Sequence, residues 1–160
     1  MKNLPYGETV NYWQTSQSSA DSWIDKSKKE ISQAGGVVTG EAYGSEPVTG
    51  RSAFMLAFSA AGQQYKIVWP VLPSKTANVK AAKIQAATLM YHDIKAKCMI
   101  AKIFGIEKPF FEYLMLDDGR VVSDLGRTEM SNLLPELFKT NIKVLQSGEI
   151  VEGNYRLEES

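Results

Sequence analysis

Apolar positions recur along this chain with two different periods, and each change of period marks an element. Ser18 or Ser19 can cap a helix running to about Gln33, with Asp21 near its start and Lys28 and Lys29 towards its end, as the helix dipole favours. Gly35-Gly36 stops it. The period then shortens to two. Val37-Val38-Thr39 through Tyr43 is β-branched and ends at Gly44, and the next strand, Ala53 to Ser59, sets Phe54, Leu56 and Phe58 on one face. Ala60-Ala61-Gly62-Gln63 turns the chain, and Tyr65, Ile67 and Trp69 share one face of a third strand before Pro70 ends it.

Such a sheet needs an apolar cover, and a 3.6-residue period supplies one. A long helix is expected from about Ser74, as N-cap, to Phe104, stopped by Gly105. Ile84, Ala87, Tyr91, Ile94, Cys98 and Ala101 form its apolar stripe, with Ala86 and Met90 beside it. Asn78, Gln85, Thr88, His92 and Lys95 form the opposite stripe, which reads as one narrow wet edge interrupted by Met99. Further on, Phe110 to Leu116 followed by Asp117-Asp118-Gly119-Arg120 and Val121-Val122 reads as a second hairpin, or as a helical turn through Phe111–Tyr113 leading into one. Residues 128–146 carry Met130, Leu133, Leu134, Leu137, Ile142 and Leu145 and read as a helix that Pro135 breaks or restarts. The resulting fold class is α+β, an antiparallel sheet of three to five strands packed on one long helix, with an N-terminal helix alongside. Residues 1–17 form an arm carrying Tyr6, Tyr12 and Trp13, residues 18–146 a single domain, and residues 147–160 an acidic tail.

Composition adds one thing the pattern lacks. The 18 bases and 18 acids cancel overall but are segregated. Residues 47–110 hold nine bases (Arg51, Lys66, Lys75, Lys80, Lys83, Lys95, Lys97, Lys102, Lys108) and two acids, a local net of +7, whereas residues 1–46 carry −2 and residues 111–160 carry −5. A basic middle between acidic ends suits a polyanion-binding body or an internally neutralised one. The opening residues lack the apolar core of a signal peptide and Cys98 is the only cysteine, so a cytoplasmic protein without disulfides is expected. The longest apolar run, Phe54 to Phe58, is far too short to cross a bilayer, and no membrane partner is expected.

Catalytic signatures are missing. One histidine and one cysteine cannot build a zinc site without carboxylates, and neither a Walker loop nor a Gly-x-Gly-x-x-Gly is present. Glu112, Asp117 and Asp118 form the densest acidic cluster, but Gly119-Arg120 beside them favours a hairpin turn over a metal site. The order helix, three strands, long helix matches the core of restriction-endonuclease-like nucleases. Those hold magnesium with acids on the second and third strands, where this chain has no acid from Ser52 to Ser59 and an amide in Gln64-Tyr65-Lys66. The expectation is therefore a non-enzymatic protein with no catalytic residue, metal or cofactor, an inactive relative of that nuclease fold being one form it could take.

What remains is binding. Lys66 should face away from the core, and Arg51, Lys75, Lys80 and Lys83 lie at element ends that could converge on one edge of the sheet. Bases could stack on Tyr6, Tyr12 or Trp13 while these cations meet phosphates. The candidate nucleic-acid site is thus Arg51, Lys66, Lys75, Lys80, Lys83, Tyr12 and Trp13, with single-stranded DNA the leading ligand. The rival is a protein-interaction module working through the acidic C-terminal half, with a host or phage protein as partner. Strands bearing Phe54, Leu56, Tyr65 and Trp69, a long helix apolar over most of its circumference, and complementary charged segments also predict a homo-oligomer.

Several runs carry a resemblance. They are Tyr43-Gly44, Gly62-Gln63…Tyr65-Lys66-Ile67 leading into Pro70-x-x-Pro73, Leu89-Met90-Tyr91…Ile94-Lys95-Ala96-Lys97, Gly105-Ile106…Phe110-Phe111-Glu112-Tyr113-Leu114, and Leu116-Asp117-Asp118-Gly119-Arg120-Val121-Val122. Over about residues 20–125 the chain resembles a set of small uncharacterised proteins encoded on bacteriophages and other bacterial mobile elements. The resemblance implies a phage genome and a host cytoplasm, and it implies no activity and no site residues.

Overall fold

The computed structural model describes residues 3–45, 50–126, 144–146 and 149–151. The chain forms two compact units, Met1–Ser123 and Asp124–Ser160. The first is the α+β body. Its elements are α1 (Ala20–Gln33), β1 (Val37–Ser45), β2 (Ser52–Ala60), β3 (Gln63–Pro70) and α2 (Val79–Phe104).

Local chemistry explains the boundaries. The Ser19 hydroxyl accepts the Ser22 amide and caps α1. Between β2 and β3, Ala61 and Gly62 both have positive φ (50° and 76°), the geometry of a two-residue hairpin whose twist matches its strands. The sheet is antiparallel in the order β1-β2-β3, with Phe54↔Trp69, Leu56↔Ile67 and Phe58↔Tyr65 as facing pairs. That register puts Phe54, Leu56, Phe58, Tyr65, Ile67 and Trp69 on one face and leaves Met55 and Val68 on the other. The face shares a single core with Ile24 and Ile31 of α1 and Ala87, Met90, Ile94 and Cys98 of α2. Phe54, Leu56 and Tyr65, expected as part of an exposed self-association surface, are 4%, 0% and 1% exposed. β2 is the central strand, and the helices cover its apolar side.

α2 starts later than its sequence suggests. Its N-cap is Asn78, whose Oδ1 accepts the Ala81 amide, and Ser74 instead organises the loop before it. Ala77 adopts φ 55°, which breaks helical geometry between the two candidate caps. At the other end Gly105 (φ 84°) donates its amide to the Ala101 carbonyl and stops the helix, as expected.

After α2 the chain closes the free edge of β3. Phe110 is fully buried, edge-on to Phe58 and Tyr65. A 3₁₀ turn, Phe111–Tyr113, leads to a bridge between Leu114 and Tyr65, and the Met115 amide donates to the Gln64 carbonyl at 2.9 Å. The second hairpin shrinks to one bridge, Met115↔Val121, because Val122–Asp124 coils into a further 3₁₀ turn.

In the second unit β4 (Val144–Gln146) and β5 (Glu149–Val151) pair antiparallel. The helix expected over 128–146 is therefore wrong for its last three residues, while residues 127–143 lie outside the described ones.

Candidate nucleic-acid interface

The expected cations separate into two groups. β2 begins, β3 ends and α2 begins at the same end of the first unit, tied by a bond from the Val71 amide to the Ser52 carbonyl (2.8 Å). The loop between β3 and α2 is held from behind by the arm. The Glu8 carboxylate accepts the Ser74 hydroxyl (2.7 Å) and the Lys75 amide (2.9 Å), and the Gly7 amide donates to the Pro73 carbonyl (2.8 Å). The Ser74 hydrogen bond above all holds the Glu8 carboxyl below its ordinary pKa, so that carboxylate is spent on the loop.

A groove of about 580 Å³ opens at this end. Leu4 and Tyr6 of the arm form one wall, Leu72 to Ser74 another, and Arg51, Ser52 and Val79 contribute to the rest. Among the described lining residues there is an arginine and no acid. Lys75 adjoins the lining residue Ser74 and its Nζ lies 5.5 Å from the Tyr6 ring centroid. Lys80 is exposed in the first turn of α2, beside the lining residue Val79. One turn on, the Lys83 Nζ sits 4.1 Å over the Tyr43 ring. Tyr6 and Tyr43 are 48% and 40% exposed, so this end offers cations interleaved with accessible rings.

The other expected residues lie elsewhere. Lys66 is on the opposite face of the sheet from Tyr65 and Ile67, as its register requires, and its Nζ donates to the Gly119 carbonyl at 3.0 Å. Tyr12 packs on α2 and Trp13 folds against the arm itself. Tyr12 stacks on His92 (4.7 Å between centroids, 13° between planes), and Trp13 lies against Gly7. The rings that share an end with Arg51, Lys75, Lys80 and Lys83 are Tyr6 and Tyr43.

Beneath the arm is the residue that fixes it. Gln85, expected on a wet edge, is 1% exposed, and its Nε2 donates towards the carbonyls of Gly7 (2.9 Å), Val10 (3.1 Å) and Asn11 (2.9 Å). Thr88 is buried as well and returns its hydroxyl to the Ile84 carbonyl. The polar stripe of α2 is thus covered by the arm for its first half. Beyond His92 the arm runs out, and Met99, Ile100, Ile103 and Phe104 stand 59%, 44%, 76% and 59% exposed.

Of the clustered acids, Glu112 and Asp118 are already committed. Glu112 and Asp93 both pair with the Lys97 ammonium (2.9 and 3.1 Å), and the Tyr113 hydroxyl donates to Asp93. Asp118 accepts the amide and the guanidinium of Arg120, which makes the turn that Gly119 permits at φ 83°. Those bonds, the backbone one first, hold the Asp118 carboxyl below its ordinary range. Among the described residues no three His, Cys, Asp or Glu side chains gather to hold a metal ion, and no helix is long and apolar enough to cross a membrane.

The tyrosine pairs were partly visible in the sequence. Tyr6 is in the arm and Tyr43 precedes a glycine, but only the β1–β2 register brings Tyr43 to Phe54 and so beneath Lys83. No family model, no curated protein and no solved structure matches the chain.

Proposed function

We propose that this end of the Met1–Ser123 unit binds nucleic acid without catalysis, and binds single strands in preference to duplexes, in the phage or mobile-element setting that the resemblance implies. The observation that carries the reading is the gathering of Arg51, Lys75, Lys80 and Lys83 around a groove flanked by two accessible tyrosines. Cations on a phosphate backbone supply affinity, and rings receive unstacked bases, which a duplex does not present.

Titrating labelled single- and double-stranded oligonucleotides at two salt concentrations tests it. With three to five phosphate contacts, log affinity falls against log salt with a slope of about −2 to −4. The double variant Arg51→Ala, Lys80→Ala flattens that slope by about 1 to 2, whereas Lys66→Ala leaves it unchanged. Absence of binding at low salt, with the protein folded by circular dichroism, ends the proposal.

A second reading, a protein-interaction module such as an inhibitor of a host defence system or a replication accessory factor, is favoured by the exposed apolar end of α2. Replacing Ile103 with Glu separates the two, because that change leaves the groove intact.

A further inference from the structure

Resting on the second of those readings, we infer that the exposed end of α2 receives an acidic amphipathic helix of another protein. Gln85, Leu89, His92, Ala96, Met99 and Ile103 follow one another at alternating intervals of four and three residues, the a/d seam along which one helix packs on another. The first half of that seam already serves as a docking line. Gln85 holds the arm through the carbonyls of Gly7, Val10 and Asn11, and Tyr12 stacks on His92 at 4.7 Å between centroids. From Ala96 onward the seam is bare, with Ala96, Met99 and Ile103 all exposed. Ile100 and Phe104, exposed as well, widen the apolar strip on one side. The bare stretch from Ala96 to Phe104 is about 12 Å long, room for two layers of interlocking side chains, and the small Ala96 lets a partner backbone come close.

Charge decides the partner. With Ala96 and Ile103 at a, Lys95 and Lys102 fall at g, the flank where charges select the partner of a paired helix. Both lysines are exposed, and on the other side of the seam the Lys108 ammonium lies 3.9 Å over the Phe104 ring. None of the three makes an ion pair among the described residues, and Glu107, exposed beyond Gly105, pairs with none of them. A second copy of the chain is the poorer occupant. Docked antiparallel it sets lysine against lysine, and docked parallel it sets the lysines against Ile100, so it holds the face only where no acidic helix competes. A helix with apolar residues on one stripe and carboxylates along its flanks answers the seam and the cations together.

The test uses fluorescence anisotropy with the full chain and two labelled three-heptad peptides, leucine at a and d in both, with glutamate at e and g in one and lysine there in the other. Like charges at e and g keep each peptide from pairing with itself. The glutamate peptide is expected to bind about tenfold more tightly, the sum of a few exposed ion pairs, and the difference should shrink as salt rises. Lys95→Ala with Lys102→Ala brings the two affinities together, and Ile103→Glu weakens the glutamate peptide about tenfold or more while circular dichroism and the urea midpoint stay as in the parent. An excess of that peptide turns self-associated protein into a one-to-one complex in light scattering. Equal affinity for the two peptides overturns the inference and leaves the protein-interaction reading standing. Self-association that the glutamate peptide fails to displace overturns it in favour of a second copy. Phosphatidylglycerol vesicles that bind the parent and not Ile103→Glu overturn it in favour of a membrane. Binding of neither peptide overturns it as well, and if Ile103→Glu then also leaves the mass unchanged, the protein-interaction reading fails with it.

Discussion

Gln85 shows how one side chain can decide where an arm goes. Its amide nitrogen shares two N–H groups among three backbone carbonyls of residues 7–11, and those of Val10 and Asn11 would otherwise lose water without gaining a donor among the described residues, while that of Gly7 also accepts the Val10 amide. Gln85→Leu, similar in size and without the donors, is expected to lower unfolding free energy by about 2–3 kcal/mol in urea melts. Thr88→Val, which removes only a bond to the preceding turn, should cost well under that. An unchanged midpoint for Gln85→Leu would mean the arm docks through its rings alone. None of this was legible in the sequence, where Gln85 and Thr88 look like a solvated stripe, because the covering residues are about 75 positions away. The titrating groups of the core make a second residue-level prediction. Burial pushes the Cys98 thiol up to about 11, and burial with the Asp93 hydrogen bond raises the Tyr113 phenol. For Lys97, burial opposes the shift, but the Glu112 and Asp93 carboxylates outweigh it and raise the ammonium. All three bind protons more tightly folded than unfolded. Their stabilisation is present below the ordinary pKa values and is lost as pH rises through the folded ones. Urea midpoints should therefore fall between pH 9 and pH 11, and Cys98→Ala should flatten the lower part of that fall. A midpoint that holds steady to pH 11 in the parent protein would contradict the sign.

At the scale of elements, periodicity carried most of the fold. The three strands, the hairpin at Ala61-Gly62 and the C-terminal stop of α2 at Gly105 all follow from local rules that the tertiary structure does not override. The start of α2 did not follow, and the reason is specific. Ser74 and Asn78 are both good caps, and sequence alone cannot tell which of them the helix uses. The structure gives the cap to Asn78 and spends Ser74 on Glu8, a pairing with the arm that no local pattern encodes. Asn78→Ala should therefore cost about 1 kcal/mol, the ordinary loss for an N-cap. Ser74→Ala releases the arm and loop from each other, so it should impair oligonucleotide binding more than Asn78→Ala does, if the groove is the site. Equal effects of the two on binding would show that helix stability, and not loop placement, matters there. The candidate site was legible to the same partial degree. Four of its cations could be placed at one end from strand and helix boundaries, whereas Lys66, Tyr12 and Trp13 needed the sheet faces and the path of the arm.

For the whole molecule, charge segregation and apolar exposure both predict self-association, but by different contacts. Of the surfaces expected to carry the apolar contact, the strands bury Phe54, Leu56 and Tyr65 in the core and Trp69 in part, whereas the long helix keeps an exposed one. It lies on the last two turns of α2, where Met99, Ile100, Ile103 and Phe104 continue the face that the arm covers further up. Lys95 and Lys102 are exposed on the same turns, and the Lys108 ammonium sits 3.9 Å over the Phe104 ring. A contact between copies through this face is held by apolar burial with like-charged lysines at its rim. Salt would screen their repulsion and leave the burial intact. A contact between the basic middle of one copy and the acidic ends of another behaves oppositely, weakening as salt rises. Light scattering at micromolar concentration should accordingly give more than the monomer mass of 17.7 kDa, and the excess should persist or grow at high salt. Ile103→Glu, at the most exposed of the four positions, should return the protein to monomer with its urea midpoint changed by no more than about 0.5 kcal/mol, since surface substitutions of that kind rarely cost more. Dissociation by salt alone would transfer the contact to the charged segments, and monomer mass under both conditions would rule self-association out.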